Sequence, residues 1–309
     1  MGKKILMAVD DSIHSHHSMR YAIKMLSGSK DVTITLFHGQ PMLSQYLLDD
    51  AKADRKADAT LKKVIKKNTE QAQLLLEKQK ERMTTMGIPN EHIEMVAQQR
   101  MLGLAKDILE YTRKGFYDAI VVGRRGLSRI QKTFMGSTSA NLLEGAEATP
   151  VWMVDGDVTS QRILVAVDGS ESSYRALDHV GFMLSENPEI KYSLFHVSPD
   201  AEDIEAISLG KDDPEIKNIF MRGSERVIGK FFADAEQKLK EAGIAADRVE
   251  IITTRQKAKV GKMILEEASK RNYGTVVVGR RGADRSHFFG SVSRYVTERI
   301  TDRALWLVA

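Results

Sequence analysis

The sequence contains no cysteine, which excludes disulfide scaffolds, thiolate metal sites and cysteine nucleophiles. Aromatic residues make up only 6%, and none of them interleaves with the lysine-rich stretch 62–67. Acidic residues surround that stretch, so it predicts a solvated helix face rather than a nucleic-acid surface. No run of eighteen apolar residues occurs, and the first residues do not fit a signal peptide. We therefore expect a cytoplasmic protein with no membrane span.

The remaining composition is that of an ordinary globular protein. Of the 309 residues, 42% are hydrophobic and 28% are charged, and the formal net charge is only +4. These values argue against a disordered or fibrous chain. The length predicts about two domains.

The chain repeats itself. ILMAVDDS at 5–12 recurs as ILVAVDGS at 163–170, and VVGRRG at 121–126 recurs unchanged at 277–282. Three shorter matches follow the same order at similar offsets: LFH at 36 and 194, Gly-Ser at 136 and 290, and a tryptophan in an apolar segment at 152 and 306. This is a duplication. The polar stretch 155–160 predicts the boundary between two domains, 1–156 and 157–309.

Each half alternates short Val/Ile-rich segments with helical patterns. In the first half the pattern predicts strands near 4–10, 32–38, 92–98, 118–123 and 150–154, with helices near 15–27, 61–86, 102–113 and 137–146. Such alternation is typical of a doubly wound α/β fold with a five-stranded parallel sheet. The ligand crevice of this fold lies beyond the carboxyl ends of the strands where the strand order reverses. That rule directs attention to the residues after the first and fourth strands.

A glycine-rich loop follows the fourth strand. Its residues are Val122, Gly123, Arg124, Arg125 and Gly126, then nine others, then Gly136, Ser137, Thr138 and Ser139 at the start of a helix. Glycines let the backbone approach a phosphate, the helix start offers unpaired N–H groups, and either arginine could add charge. A plain glycine turn with a serine N-cap is the structural alternative.

The first strand ends in Ala8, Val9 and Asp10, which the fold brings to the same crevice. Asp10 could accept hydrogen bonds from a ribose or an adenine amino group. Capping of the helix that begins nearby is its structural alternative.

Taken as two halves, the whole chain resembles the universal stress protein family. The nucleotide-binding members share the loop Gly-x2-Gly-x9-Gly-[Ser/Thr], an Asp closing the first strand and a His near the end of the second, here His38. The resemblance implies a Rossmann-like, adenine nucleotide alpha hydrolase-like fold whose loop holds the phosphates of ATP, ADP or AMP, with or without Mg. It also implies that Gly39 lines the adenine pocket. Because the family usually has Val there, we expect looser contact with the base.

The second half departs from this pattern. Seven residues rather than nine separate Gly282 from Gly290, which removes about 6–7 Å of reach. Asp284 would repel phosphate, although Arg285 and His287 partly offset it. Asp168 and Val197 still suit a nucleoside, and Gly279 and Ser291 complete the candidate second site. We expect a degenerate site or one for a shorter ligand such as AMP, because the shortened loop cannot wrap the same chain of phosphates without pulling the helix that begins near Ser291.

Three further features of the sequence lead to expectations. His14, His16 and His17 lack the spacing and the carboxylates of a metal site, so we expect no metal held by side chains. The insertions 41–60 and 199–217 are predicted to be lids or docking surfaces. In this family the last strand commonly pairs across a two-fold axis, so the strands around Trp152 and Trp306 predict an internal pseudo-dimer, with a further homodimer as an option and core packing as the alternative.

The sequence favours an ATP- or adenine-nucleotide-binding stress-response module that acts as a regulatory or binding protein toward an unidentified protein partner. Nothing beside the loop resembles a paired general acid and base, and no Walker lysine follows Gly136, so at most weak hydrolysis is expected. Two alternatives stay open. One is a true ATPase or nucleotide-transferring enzyme of the same fold, and the other is a docking scaffold that binds no nucleotide.

Overall fold

The structure is a computed structural model that describes residues 2–125, 135–199, 214–280 and 290–309. The chain divides into two compact units. The first comprises Met1–Lys24 and Lys30–Asp155, and the second comprises Met25–Ser29 and Gly156–Ala309.

The first unit alternates strands and helices from end to end. Its elements are β1 (Lys3–Ala8), α1 (Ile13–Met25), β2 (Val32–Gln40), α2 (Gln45–Ala53), α3 (Arg55–Thr85), β3 (Ile93–Gln99), α4 (Leu104–Gly115), β4 (Ala119–Gly123), α5 (Ser137–Gly145) and β5 (Val151–Val154). Helices connect the parallel neighbours, as a parallel sheet requires.

The strand order of the first sheet is β3-β2-β1-β4-β5. Each neighbouring pair is parallel, with Met7 opposite Leu36 on one side of β1 and opposite Val121 on the other. The central apolar side chains of β1 and β4 are fully buried, because helices cover both faces of the sheet. The order reverses between β1 and β4, which confirms the doubly wound α/β fold.

The second unit repeats this plan. Its elements are β6 (Arg162–Ala166), α6 (Glu171–Leu184), β7 (Lys191–Ser198), α7 (Pro214–Glu241), β8 (Val249–Arg255), α8 (Val260–Lys270), β9 (Thr275–Gly279), α9 (Ser291–Arg299) and β10 (Ala304–Val308). The strand order is β8-β7-β6-β9-β10, again with parallel neighbours.

The insertion 41–60, predicted to be a lid or docking surface, is largely helical. It contains α2 and the first turns of α3. The carboxylate of Asp54 accepts hydrogen bonds from the backbone N–H groups of Lys56 and Ala57, at 3.1 and 3.2 Å. This N-cap allows α3 to begin directly where α2 ends. Of the insertion predicted at 199–217, residues 200–213 lie outside the described part of the chain, and α7 begins at Pro214.

The glycines that end β4 and β9 allow a helix to approach closely. A Cβ on Gly123 would lie 3.0 Å from the backbone of His14, and one on Gly279 would lie 2.6 Å from Ser172 Cβ. The first turns of α1 and α6 therefore pack directly on these strand ends. Within the described residues, no helix is both long enough and apolar enough to cross a membrane.

Candidate functional site

A cavity of about 320 Å³ lies at the carboxyl ends of the strands of the first unit, where the strand order reverses. This volume is within the range of small-molecule sites. We call it the first cavity. Its lining residues are Ala8, Val9, Asp10, Ser15, Phe37, His38, Gly39, Arg100, Leu104, Val122, Gly123, Arg125, Gly136, Ser137, Thr138 and Ser139.

The structure thus brings together most of the residues that the sequence analysis selected for the first half. Gly126 lies outside the described residues, and Arg124 is placed elsewhere. Four lining residues were not selected from the sequence: Ser15, Phe37, Arg100 and Leu104.

The Ser15 N–H in the first turn of α1 donates to Ser12 Oγ at 3.1 Å, so Ser12 caps the helix, and Asp10 holds the turn before it. The Asp10 Oδ1 accepts a hydrogen bond from the backbone N–H of Ser12 at 3.0 Å, and the Asp10 N–H donates to Ser15 Oγ at 3.2 Å. These bonds fix the turn between β1 and α1. The carboxylate also lines the first cavity, so the same turn holds an acceptor for a ligand hydroxyl or amino group.

The start of α5 provides the donors of the cavity. Gly136 is the N-cap residue and has extended backbone angles, φ −62° and ψ 144°. Because glycine has no side chain, it cannot cap the N–H groups of the first turn, and these groups point out of the helix end. Ser137, Thr138 and Ser139 follow at the cavity wall. The Ser139 hydroxyl donates to the Gly123 carbonyl at 2.8 Å, which holds α5 on the end of β4.

The two arginines after β4 have different environments. The side chain of Arg124 is only 2% exposed, and its Nη1 lies 3.3 Å from Asp155 Oδ2. The Arg124 side chain is therefore part of the buried core, where it pairs with Asp155, and it does not line the cavity. Arg125 is 20% exposed, lines the cavity and lies 3.5 Å from Asp155 Oδ1. Arg125 is the side chain available to an anionic ligand, and Asp155 orients it.

Gly39 does not leave the space that we expected. A Cβ on Gly39 would overlap the Cδ1 atom of Leu104 and would lie 3.3 Å from Arg100 Nε. Leu104, the first residue of α4, thus occupies the volume that a valine at position 39 would fill. The expectation of a looser wall is wrong in this respect, because a larger residue on another element replaces the missing side chain.

Two histidines lie near the cavity in defined states. The ring Nδ1 of His38 is 2.9 Å from the Val9 carbonyl, so Nδ1 carries the proton and donates. Burial lowers the pKa of His14, and the positive charge of Arg125 lowers it further, while Asp155 and Asp10 act in the opposite direction. His14 is therefore neutral at pH 7 and does not add to the charge of the site.

A second cavity, of about 450 Å³, occupies the matching position in the second unit. Its lining residues are Ala166, Val167, Asp168, Ser170, Ser172, Ser173, Phe195, Val197, Val260, Ile264, Val278, Gly279, Gly290, Ser291, Val292 and Ser293. Five of the six residues selected for the second site line it, and Gly282 lies outside the described residues. Among the lining residues that the structure describes, Asp168 carries the one charge, whereas Arg100, Arg125 and Asp10 line the first cavity.

The helix at the second cavity is not displaced by the shorter loop. The Gly290 N–H donates to the Arg280 carbonyl at 3.1 Å, as the Gly136 N–H donates to the Arg124 carbonyl at 2.9 Å. The N-cap angles of the two glycines also agree within 10°. The helix therefore begins at the same place relative to its strand in both units, and the expectation that the shorter loop cannot wrap a triphosphate without pulling the helix near Ser291 stays a prediction.

No group of three or more metal-ligating side chains occurs among residues 2–125, 135–199, 214–280 and 290–309. The first turns of α1 contain His14, His16 and His17.

Comparison with known proteins agrees with this fold. The model of the universal stress protein family matches residues 1–155 and again 159–301. The chain therefore belongs to the universal stress protein family, as a tandem two-domain member.

Relatives of the same length exist. A universal stress protein of Mycolicibacterium smegmatis is 23% identical over 96% of this chain and 94% of its own length. The crystal structure of a universal stress protein from Archaeoglobus fulgidus DSM 4304 has a TM-score of 0.63 at 21% identity and covers 99% of this chain and 97% of that one. A functionally unknown protein from Pseudomonas aeruginosa PAO1 has a TM-score of 0.58 at 13% identity, with 99% and 92% covered.

Proposed function

We propose that the first unit binds ATP or a related adenine nucleotide in the first cavity, and that the chain acts as a nucleotide-dependent regulatory or binding protein. The observation that carries the proposal is the convergence of three groups at the strand-order reversal: the open start of α5, Arg125 and Asp10. The first two suit phosphates and the third suits a ribose or amino group.

The donor set fits this ligand. The N–H groups of the first turn of α5 and the Arg125 guanidinium supply donors for phosphate oxygens, and Gly123 and Gly136 let the backbone approach them. Asp10 is the one carboxylate among the described lining residues. Most ligands of any bound Mg would therefore come from the phosphates of the nucleotide and from water. Among the described lining residues, Asp10 and His38 are the groups that could act as a general base, and their hydrogen bonds within the protein support binding over catalysis.

The test begins with the purified full chain. Mass spectrometry of small molecules released on denaturation should find an adenine nucleotide, and calorimetric titration of the emptied protein with ATP should find a tight site. The Gly136→Val variant should lose that site, because a side chain there occupies the space next to the first helical turn. Circular dichroism of the variant provides the folding control.

Two outcomes would favour the other functions. Multiple-turnover release of inorganic phosphate would identify an ATPase. Absence of any released nucleotide together with no measurable titration would identify a scaffold. If folded Gly136→Val protein binds ATP as tightly as the parent, the nucleotide does not bind at α5.

A further inference from the structure

Arg100 is a charged residue of the first cavity to which neither the glycine-rich loop nor Asp10 gives a role. It follows β3 directly and lies one strand beyond Gly39 in the sheet. Its Nε is 3.3 Å and its Cγ is 3.5 Å from the position of a Cβ on Gly39. The absence of a side chain at position 39 therefore admits the Arg100 side chain to the cavity wall.

The Nε atom of Arg100 is shielded from solvent, and no described residue accepts a hydrogen bond from it. A buried donor without an acceptor is costly, and such groups in native proteins usually serve a ligand or a water molecule. Since Arg100 lines the cavity, a bound ligand is in position to supply the acceptor.

The position of Arg100 in the sheet separates it from the phosphate donors. Arg125 and α5 follow β4, whereas Arg100 follows β3, and β1 and β2 lie between these two strands. Three strand spacings correspond to about 14 Å. The two arginine side chains therefore enter the cavity from different sides.

The second unit lacks this arrangement. Gln256 stands at the position equivalent to Arg100, Val197 at that of Gly39 and Val260 at that of Leu104. The first unit therefore differs from the second at all three positions, Gly39, Arg100 and Leu104. This difference places a cation in the wall of the first cavity.

We propose that Arg100 is a specificity-determining residue of the first cavity, whose guanidinium contacts the base of the bound nucleotide through a ring nitrogen or the π face. This inference rests on the proposed function and on the ligand orientation that the family resemblance implies, with the phosphates toward α5 and Arg125. It adds Arg100 as a contact of the base. A guanidinium stacks well on aromatic faces, and adenine ring nitrogens are acceptors.

The experiment measures the contributions of the nucleoside and of the phosphates separately. The affinities of ATP, adenosine and inorganic tripolyphosphate are measured by competition against a fluorescent ATP analogue, with the full chain and the variants Arg100→Gln and Arg125→Gln. Arg100→Gln introduces the residue that the second unit carries. Arg113→Gln, on an exposed position of α4, makes the same charge change outside the cavity and is the matched control.

Arg100→Gln should weaken ATP and adenosine alike, by about 5- to 30-fold, as expected for loss of a desolvated contact between an arginine and a ring. Its effect on tripolyphosphate should stay within about twofold, the residual long-range effect of one screened charge. Arg125→Gln should show the reverse preference, with tripolyphosphate weakened more than adenosine.

The outcomes separate the two proposals. Failure of the parent chain to bind ATP would refute the proposed function itself. If ATP binds but Arg100→Gln weakens tripolyphosphate as much as adenosine, Arg100 contacts the phosphates and the inferred contact with the base is wrong. If Arg100→Gln has no more effect than Arg113→Gln, Arg100 does not contact the base, and its Nε–H donates to water or stabilises the fold.

Discussion

The contact between Gly39 and Leu104 makes a sharp prediction about substitution at the end of β2. Gly39→Val restores the side chain that the second unit carries as Val197. The φ angle of Gly39 is outside the left-handed region, so the backbone accepts valine without strain. The new Cβ overlaps Leu104 Cδ1 and lies 3.3 Å from Arg100 Nε. The cost of the substitution is therefore steric and depends on Leu104.

The magnitude follows from the packing. Overpacking of this kind costs about 1–3 kcal/mol, and Leu104→Val alone should cost about 1 kcal/mol through loss of one methylene. If the two effects were independent, the double variant would lose about 2–4 kcal/mol. We expect instead that Gly39→Val with Leu104→Val lies within about 1 kcal/mol of the parent, because it recreates the Val197 and Val260 pair of the second cavity.

The assay must read the first unit separately, since the chain contains two. Hydrogen exchange of peptides from β2 and α4 under native conditions gives the local free energy of opening for the parent, the two single variants and the double variant. Val260→Leu is the reciprocal control, because it places the larger side chain against Val197. Additive losses in the four proteins would show that Leu104 does not occupy the space next to Gly39, and the inferred cavity wall would be incorrect.

Two further predictions concern the sites and their stability. Gly136→Val should abolish tight ATP binding in calorimetry while Gly290→Val leaves it in place, because Arg125 favours phosphate at the first cavity and no described residue lining the second cavity is an arginine or lysine; two equivalent tight sites per chain would contradict this. Full burial lowers the pKa of His179 from 6.5 to about 3, so the folded protein keeps it neutral while the unfolded chain takes up a proton below pH 6.5. The stability that this neutral state provides is present at pH 7 and falls as the pH decreases, by about 2 kcal/mol between pH 7 and pH 5. Urea unfolding of the parent and of His179→Phe should show a loss of stability that is larger in the parent by this amount, and equal slopes would refute it.

The fold was accessible from the sequence because its signals are local. The short Val/Ile-rich strands and the helices between them predicted the doubly wound sheet, and the duplication supplied each signal twice. The turn at Asp10 and the helix start at Gly136 were found for the same reason, since each is defined by neighbouring residues. The helices within the insertion 41–60 were not predicted, because Asp54 was not recognised as the N-cap of α3; the lid or docking role stays a prediction. The internal pairing predicted from Trp152 and Trp306 stays a prediction.

The parts of the site that escaped prediction depend on residues far apart in the chain. Leu104 compensates for Gly39 only because α4 begins beside the end of β2, and the burial of Arg124 depends on Asp155 at the end of β5. A comparison of the two halves would have given a signal, because Gly39 corresponds to Val197 while Leu104 corresponds to Val260. Likewise Asp155 corresponds to Ala309, although Arg124 has an equivalent arginine in Arg280. The reciprocal difference at Gly39 and Leu104 marks a contact that neither position indicates alone.

The hydrogen bond from Gly136 to the Arg124 carbonyl, with its copy from Gly290 to Arg280, has a consequence for how such a duplicated protein can diverge. Because the bond closes the base of each loop, residues can be inserted or deleted between its two ends without moving the strand or the helix. The loops already differ by two residues while the bonds remain 2.9 and 3.1 Å long. After duplication one copy can therefore change its ligand through loop length alone while its folding is preserved, and loops from other members can be exchanged at these two residues.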